Sequence, residues 1–520
     1  MTRERSMVSP PPVRMVSLRV LVASLVALLA VVVWQGITPA SVFGYATPLP
    51  VPKGESAQNE ERVASVACTS ARTCEAAGTY NGKQPVVVSE VSGKWVSATR
   101  ISLPTNANGG GGGALTSMTC TSLGDCVAVG TYETDLETAP MVVTEHAGTW
   151  ARAIELPLPS NAATGPRAIA FMLGVACSSS ASCVAVGNTQ TKTDSTGEAF
   201  IDTGSGASWT SSIPRMPTGA TEGVLSAVTC SSLGCEAAGA SNTASGAVQP
   251  VAIAELGGTW SRAVRVAPPS NFSKQGSGLE LEGLLSVSCP SVGSCVAGGM
   301  YPTARGVEPF VAVETHGKWG AGREMTVPIG ATKQQGAIID GIACSSVLRC
   351  VAVGTYEASV GGGTPLGMTL SEMGGTWDRA VTAALPPGGG SNAITTEVAC
   401  PTAAWCTTVG WYVAGSGVTR SYAATPAAAP GRAILRSVVR RPGGFIVAIR
   451  APMSNGGLAI ETYQYSLDGG WSWHDRSPAS PSTRLVLESL ARDHKYRLAV
   501  RAVTEAGVGT SSNVVTATTG

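Results

Sequence analysis

Short apolar runs broken by turn residues recur along most of the chain, and each repeat divides into four strand-like pieces. The first piece ends at a cysteine, as in residues 285–289 (Leu-Ser-Val-Ser-Cys). The second is small and apolar on both faces, as in residues 126–130 (Cys-Val-Ala-Val-Gly), and a variable loop leads to a third, such as residues 85–88 (Pro-Val-Val-Val). We therefore predict short antiparallel strands in each repeat.

The fourth piece begins at a tryptophan that follows a Gly turn, and it ends at a proline. Because proline donates no backbone hydrogen bond, it is a suitable strand terminator. The tryptophan holds the same place in six repeats: Trp95, Trp150, Trp209, Trp260, Trp319 and Trp377.

Cysteine spacing defines the same repeats independently. All fourteen cysteines fall into six C-x5-C pairs and one C-x4-C pair: Cys68 with Cys74, Cys120 with Cys126, Cys177 with Cys183, Cys230 with Cys235, Cys289 with Cys295, Cys344 with Cys350, and Cys400 with Cys406. A glycine stands four residues after each second cysteine: Gly78, Gly130, Gly187, Gly239, Gly299, Gly354 and Gly410. Such regular spacing is typical of a repeat architecture.

Seven repeats of four strands predict an all-β fold, with a seven-bladed β-propeller over residues 41–426. The apolar second strand suits a position between neighbouring blades. The repeated glycine suits close approach of backbones near a crowded axis. A β-helix is the structural alternative, but its coils usually have shorter periods and need no hairpin disulfides.

The seventh repeat lacks the Gly-Trp turn and the fourth strand. Residues 43–52 have the spacing of residues 150–159, in which an aromatic residue is followed six positions later by Leu-Pro-x-Pro. We therefore predict that residues 43–52 complete blade seven and close the ring, which removes two open sheet edges. The alternative is an unpaired leader.

Residues 1–40 have the character of an export signal. Four arginines (Arg3, Arg5, Arg14 and Arg19) precede an apolar run over residues 20–34, and the next charge is Lys53. This pattern predicts a signal peptide cleaved after Ala40, with a retained transmembrane anchor as the alternative. Both predict a protein that is secreted or anchored to the outer face of the plasma membrane, with membrane contact only through this segment.

In an exported chain, regularly spaced cysteines predict disulfides, here one across the first hairpin of each repeat. Metal ligation is the alternative. C-x5-C is not the usual zinc spacing, however, and the chain has only 4 His. We therefore expect no metal and no cofactor.

Composition and the absence of catalytic motifs reduce the number of candidate functions. A net charge of +1 offers no electrostatic case for nucleic acid, and 13% charged residues with 63 Gly and 32 Pro fit short strands joined by turns rather than disorder. Five glycines at 109–113 lack the Lys-Ser/Thr of a phosphate loop. No G-x-S-x-G or H-E-x-x-H motif occurs. Catalysis is not expected, although a carboxylate-based glycoside hydrolase, which needs only two acids, stays open.

An acidic residue recurs at the end of the third strand in six repeats: Glu90, Glu145, Asp202, Glu255, Glu314 and Glu372. Recurrence in nearly every repeat indicates a structural role. We predict cross-strand pairing with arginines of the fourth strand such as Arg152, Arg262 or Arg379.

The C-terminal segment follows a predicted linker at residues 427–432. Residues 463–466 (Tyr-Gln-Tyr-Ser) and 496–502 (Tyr-Arg-Leu-Ala-Val-Arg-Ala) carry a resemblance to a fibronectin type III domain over residues 433–520. The resemblance implies a β-sandwich in which the Tyr496 hydroxyl bonds to the backbone. Ile449 stands where this family usually has a core tryptophan, which implies a slightly smaller core contact.

Residues 466–473 (Ser-Leu-Asp-Gly-Gly-Trp-Ser-Trp) resemble an Asp-box, the hairpin of sialidase-type propellers. The motif occurs once, outside the repeats, and Asp-Gly-Gly is also a good hairpin turn. A sialidase is not expected, because no arginine triad or nucleophilic tyrosine can be assigned. Trp471 and Trp473 are candidate sugar contacts, with packing of the hairpin as their alternative role.

The repeats resemble those of secreted actinobacterial propellers with a Cys-x5-Cys-Val-Ala-Val-Gly core. We predict an extracellular, non-catalytic binding or scaffolding protein. The alternative is a cell-surface polysaccharide-binding or polysaccharide-degrading protein. The expected partner is an unidentified extracellular protein or a cell-wall glycan, bound on loops that differ between repeats: residues 131–139, 188–197, 270–278 and 359–365.

Overall fold

The computed structural model describes residues 43–520 except 44, 57, 194–195, 274–282, 333–335, 360–362, 403–404, 426–429, 454–459 and 505–506. Regular structure in these residues is entirely β, in line with the predicted fold class. None of the described residues belongs to a helix long and apolar enough to cross a membrane. The predicted signal or anchor, residues 1–40, lies outside the described residues.

Seven antiparallel sheets, one for each repeat, are named A to G in chain order. β1 (Tyr45–Pro48) precedes them. Sheet A contains β2 (Glu61–Ser70), β3 (Thr73–Tyr80), β4 (Gln84–Val91) and β5 (Lys94–Arg100). Sheet B contains β6 (Gly113–Ser122), β7 (Asp125–Glu133), β8 (Thr138–His146), β9 (Thr149–Trp150) and β10 (Ile154–Glu155). Sheet C contains β11 (Ala170–Ser179), β12 (Ser182–Gln190), β13 (Gly197–Ser205) and β14 (Ser208–Ser212).

Sheet D contains β15 (Ala220–Ser231), β16 (Gly234–Thr243), β17 (Val248–Leu256), β18 (Thr259–Trp260) and β19 (Val264–Arg265). Sheet E contains β20 (Gly283–Ser291), β21 (Ser294–Thr303), β22 (Gly306–Thr315), β23 (Lys318–Trp319) and β24 (Arg323–Glu324). Sheet F contains β25 (Ala337–Ser346), β26 (Arg349–Ala358), β27 (Thr364–Met373), β28 (Thr376–Trp377) and β29 (Val381–Thr382). Sheet G contains β30 (Gly389–Thr402), β31 (Trp405–Ala414) and β32 (Thr419–Thr425).

Sheet G also takes a strand from the N-terminal side of the repeats. β1 pairs antiparallel with β32, so that Tyr45 lies opposite Thr425, and the sheet order is β1-β32-β31-β30. The Leu49 N–H then donates to the Ser421 carbonyl at 3.0 Å. Phe43 and Leu49 are buried in the apolar clusters on either side of this sheet.

Each repeat sheet has a disulfide across its first hairpin, at the positions that the cysteine spacing predicts. Within each pair the two Cα atoms lie 4.0 to 4.1 Å apart, and none of the fourteen cysteines is free. The bridges join Cys68 to Cys74, Cys120 to Cys126, Cys177 to Cys183, Cys230 to Cys235, Cys289 to Cys295, Cys344 to Cys350, and Cys400 to Cys406. Because the closed loop is short, chain entropy assigns each bridge about 2 kcal/mol.

The second cysteine of the pair lies deeper in the sheet than the first in six repeats. Cys74, Cys126, Cys183, Cys295, Cys350 and Cys406 are 1 to 3% exposed. Sheet D differs: Cys235, the second cysteine of the shorter C-x4-C pair, is only partly buried. In the other six sheets the bridge therefore anchors the hairpin to the apolar space between neighbouring sheets.

Every first strand of a repeat contains a bulge at the same position, four residues before its first cysteine. The extra residues are Ala64, Thr116, Leu173, Ser226, Leu285, Asp340 and Thr396. The repeated glycine lies opposite this bulge, where a Cβ on Gly130 would come within 1.9 Å of the Ala114 carbonyl oxygen. The close backbone approach is therefore inside each sheet, whereas the sequence suggested an approach between blades near the axis.

The first strands of neighbouring sheets contact each other in a closed cycle from sheet A to sheet G and back to sheet A. Bulge side chains tie neighbours together: Thr116 Oγ1 donates to the Met172 carbonyl at 2.7 Å. Thr396 Oγ1 makes the matching bond from sheet G to the Val63 carbonyl of sheet A at 3.3 Å. Sheets packed face to face around a common axis form a β-propeller.

The outer strand differs from the expected single strand in sheets B, D, E and F, where it splits into two short pieces. Between β9 and β10, the Ala153 N–H donates to the Ser102 carbonyl of sheet A at 2.9 Å. Ala263 and Ala380 make equivalent bonds to the preceding sheets. The outer strand is interrupted because its backbone bonds there to residues that follow the outer strand of the preceding sheet.

Residues 433–520 form two further antiparallel sheets. They comprise β33 (Ile434–Arg441), β34 (Gly444–Arg450), β35 (Thr462–Ser466), β36 (His474–Asp475), β37 (Arg484–Leu487), β38 (Lys495–Thr504), β39 (Gly507–Val508) and β40 (Val515–Thr518). β33, β34 and β37 form one sheet, and the remaining strands pair around β35 and β38. Ile449 is buried in their shared core, and the Tyr496 hydroxyl accepts a bond from the Ala491 N–H at 3.1 Å.

Candidate functional site

The first strands of all seven repeat sheets enclose a cavity of about 710 Å³ along the ring axis. Its wall consists mainly of small and aliphatic side chains, among them the bulge residues Ala64, Thr116, Leu173, Ser226 and Leu285. The bulges turn one side chain per sheet toward this space because their residues are left out of the ladder. A volume of this size is typical of a ligand pocket.

Two ionisable side chains, Asp340 and Glu397, are the only ones in this wall among the described residues. Asp340 is the bulge residue of β25, and Glu397 follows the bulge of β30. The repeat position of Glu397 holds a small residue in the other six sheets: Ser65, Ser117, Gly174, Ala227, Ser286 and Gly341. The two acids therefore break the repeat pattern on neighbouring sheets.

Glu397 is held in place by a hydrogen bond that replaces one made by a serine in other sheets. In sheets A, B and E, the serine at the position of Glu397 accepts a backbone N–H of the next sheet; Ser286 Oγ, for example, accepts from the Ile342 N–H at 3.0 Å. Gly341 has no side chain to do this for sheet G, and Glu397 Oε1 accepts from the Val398 N–H at 3.0 Å instead. The carboxyl group thus occupies the boundary between sheets F and G.

Burial raises the pKa of both carboxyl groups. It raises the pKa of Asp340 to about 8, opposed by the Thr355 hydroxyl, which donates to Asp340 Oδ2 at 3.4 Å. It raises the pKa of Glu397 to about 8, opposed by the Val398 N–H and reinforced by the charge of Asp340. Both groups are therefore largely protonated at neutral pH and can donate as well as accept hydrogen bonds.

Sequence reasoning missed this pair because it searched for recurring acids. The available signal was the opposite one: an acid at a repeat position that is otherwise small or aliphatic. Aligning the repeats on their cysteines places Asp340 four residues before Cys344 and Glu397 three residues before Cys400.

The prediction that recurring acids pair with arginines is wrong. Arg152, Arg262 and Arg379 donate instead to the carbonyls of Leu103, Met216 and Val327 in the preceding sheets, at 2.7 to 3.0 Å. Glu255 and Glu372 accept the backbone N–H of Gly258 and Gly375 in their own hairpin turns. Glu255 and Glu372 thus serve a structural role by capping their turns, whereas the arginine side chains extend past the edge of their own sheet.

Several acids outside the cavity also have a raised pKa, among them Glu75 and Glu236. Burial raises the pKa of Glu75 and of Glu236 to about 8. Ser89 Oγ donates to Glu75 Oε2 at 2.9 Å, and Trp319 Nε1 donates to Glu236 Oε1 at 3.3 Å. These bonds mark contacts between strands and sheets rather than an open site.

The two candidate sugar contacts differ in their surroundings. Trp473 is half-buried; its Nε1 donates to the Gly470 carbonyl at 3.1 Å, and the Arg501 guanidinium lies 4.3 Å from its ring centre. Trp471 is 88% exposed. The turn between them is held by Asp468, whose pKa is lowered by bonds from the Ser472 hydroxyl and neighbouring groups. Trp473 thus packs its hairpin, and only Trp471 offers a free ring.

Within the described residues, no group of three His, Cys, Asp or Glu side chains is placed to hold a metal ion. Of the four loops predicted to carry a ligand, residues 131–139 lie mostly in β7 and β8. Parts of the other three lie outside the described residues.

No protein-family model and no curated protein matches the chain. Solved structures are similar to it at low identity. A protein of unknown function from Dyadobacter fermentans is 10% identical, with 75% of this chain and 99% of that chain covered and a TM-score of 0.36. A neuraminidase-like protein of A/little yellow-shouldered bat/Guatemala is 10% identical, with coverage of 74% and 99% and a TM-score of 0.32. The hemagglutinin-neuraminidase ectodomain of parainfluenza virus 5 is 8% identical, with coverage of 79% and 96% and a TM-score of 0.34.

Proposed function

We propose that this chain is an extracellular binding protein that takes its ligand into the central cavity without transforming it. Its architecture would be a seven-bladed β-propeller over residues 41–426, a linker at 427–432 and a fibronectin type III domain over residues 433–520. The closed cycle of seven sheets supports the first assignment, and the paired sheets around Phe445 and Tyr463 support the second. Seven disulfides support an oxidising, extracellular compartment.

The observation that carries this function is the placement of Asp340 and Glu397 in the cavity wall. Buried acids cost stability unless something else requires them, and the other five sheets show that the fold is built without them. With both pKa values near 8, the pair presents hydrogen-bond donors and acceptors to a neutral, polar ligand. A segment of an extracellular protein or a glycan chain provides such groups.

A glycoside hydrolase is the second candidate, and the same pair favours it. Two carboxyl groups flanking a sugar suffice for hydrolysis if one remains protonated as the acid and the other is ionised. The raised pKa of both groups leaves neither fully ionised at neutral pH, which supports binding over catalysis.

The experiment compares the full-length protein with D340N and E397Q. Retention on immobilised cell-wall polysaccharide and on extracellular protein extract, followed by identification of the retained material, measures binding. Release of reducing sugar measures hydrolysis. We expect binding that both variants weaken and no sugar release; binding unchanged in both variants would contradict the cavity assignment, and sugar release lost in both would establish the hydrolase.

We propose that residues 1–40 export the chain, either as a cleaved signal or as a retained anchor, and that the C-terminal domain acts as a spacer. In this arrangement Trp471 adds an exposed aromatic surface for a glycan, while Trp473 supports the hairpin. W471A should then weaken retention on polysaccharide without changing the unfolding midpoint.

A further inference from the structure

One position of the repeat reveals a second candidate site, distinct from the central cavity. Two residues after the repeat glycine, five sheets carry a tyrosine of low exposure: Tyr80, Tyr132, Tyr301, Tyr356 and Tyr412. Tyr132 packs into the apolar core between sheets A and B, and Tyr301 into that between sheets D and E. The tyrosine therefore fills the boundary with the preceding sheet.

In sheet D this position is Ser241, and a cleft of about 310 Å³ opens where the ring would be. Below it, the boundary between sheets C and D is packed with Val186, Ile201, Leu225 and Ala237. Because side chains alternate along a strand, Ser241 follows Ala237 on the face that meets sheet C. The cleft is thus the space beside the smaller residue of sheet D; sheet C, with Thr189 at this position, is the other sheet without the tyrosine.

The lining of the cleft combines polar side chains with apolar ones. Asn188 and Gln190 on β12 follow Val186 on the face toward sheet D, and Phe171 lies opposite Asn188 on β11. Phe171 is 41% exposed. The cleft therefore combines two amide side chains with an accessible aromatic ring.

Ser241 gives the second, independent observation. Its side chain is 1% exposed, and its Oγ has no hydrogen-bond partner among the described residues. A buried hydroxyl without a partner is costly, so this group is available to a molecule that enters the cleft. At the rim, the Asn242 side-chain amide donates to Glu222 Oε2 at 2.5 Å, which leaves the second carboxylate oxygen of Glu222 free of that bond.

The chemistry of the lining selects the class of ligand. Glu222 is the one charged residue of the lining among the described residues, and the same lining offers no cationic side chain to an anion. The amides and the hydroxyl both donate and accept, and an apolar ligand would leave them unpaired. A sugar unit supplies hydroxyls to these groups and a C–H face to the Phe171 ring. The volume equals about ten waters at ~30 Å³ each, which is room for one sugar ring.

We propose that the cleft between sheets C and D binds one unit of a neutral carbohydrate, with Ser241, Asn188 and Gln190 bonding its hydroxyls and Phe171 stacking on its face. This site is independent of the ligand proposed for the central cavity.

Isothermal titration of the full-length protein with neutral hexasaccharides of glucose, mannose, xylose and N-acetylglucosamine tests the proposal. We expect at least one to bind. S241Y, which introduces the tyrosine that five other sheets carry, should abolish binding, and F171A should weaken it by about tenfold. L233A removes an exposed apolar side chain at the opposite end of sheet D and is the matched control; it should bind as the wild type does.

Binding that S241Y and F171A leave unchanged would overturn the proposal, as would a lack of binding by every probe. If S241Y does not fold, F171A and N188A decide, because both side chains reach the open part of the cleft. D340N in the same titrations separates the two sites: weakening by D340N alone assigns the sugar to the central cavity and removes it from the cleft.

Discussion

The carboxyl group of Glu397 occupies the space that a side chain on Gly341 would need: a Cβ there would lie 2.7 Å from Glu397 Oε1 and 2.9 Å from its Cα. The glycine and the acid belong to neighbouring sheets. The acid in the cavity wall therefore requires the absence of a side chain next to it.

G341A should destabilise the protein by about 1–3 kcal/mol, because the new methyl group forces the Glu397 side chain from its place. Urea unfolding with the disulfides intact measures the change. G109A is the control, since a Cβ there meets nothing within 4 Å, and it should change stability by less than about 0.5 kcal/mol. In the double variant G341A/E397A the loss should be smaller than the sum of the two single losses; strict additivity would show that the two residues do not compete for space.

Stability should fall as pH rises from about 4 to 8, in part because of the cavity acids. The folded-state pKa of Glu397 and of Asp340 is about 8, above the ordinary values of 4.5 and 3.8, so the folded protein holds protons that the unfolded chain has released. Their contribution is fully present below the unfolded pKa and is lost as pH rises through the folded pKa.

E397Q removes one of these titrations and should lose less stability than the wild type between pH 5 and 8, by about 1 kcal/mol or more. Urea midpoints across this range measure the difference. Glu75 and Glu236 contribute a slope of the same sign in both proteins, so the comparison isolates the cavity. Parallel curves for the two proteins would contradict the raised pKa of Glu397.

Deleting residues 41–52 should lower the thermal midpoint by several degrees. The deletion removes β1 and the buried side chains of Phe43 and Leu49, and it exposes the open edge of β32. Scanning calorimetry measures the midpoint, and light scattering should report faster aggregation. A deletion of residues 109–111 shortens a connection outside the strands and serves as the comparison. An unchanged midpoint after removal of β1 would mean that its pairing adds nothing to the ring.

E372A and R379A should act independently. Glu372 accepts from the Gly375 N–H and Arg379 donates to the Val327 carbonyl, so each single substitution should cost about 1 kcal/mol through a different bond. In a double-mutant cycle, their losses should add within about 0.5 kcal/mol. A coupling energy well above that value would indicate the ion pair that the sequence predicts.

Much of the fold can be predicted from local features of the sequence. Cysteine pairs five or six residues apart, such as Cys230 with Cys235 or Cys400 with Cys406, can bridge only a tight hairpin. Tryptophan and proline stand at fixed offsets at the two ends of the outer strand, so the sequence alone reveals the repeat. The spacing of residues 43–52 pointed to the sheet in which β1 lies. Such signals survive in a sequence because they depend on neighbours within one hairpin.

The sites depend on neighbours that are far apart in sequence. The bulge of each first strand and the packing of the sheets around one cavity bring Asp340 and Glu397 together. The missing ring at Ser241 matters only because sheet C lies opposite it. The partners of the outer-strand arginines belong to the preceding sheet, and the sequence does not predict them for the same reason. Short sequence patterns thus determine the hairpins, because the contacts within a hairpin are local in sequence. The spaces between sheets arise only when packing brings separate repeats face to face.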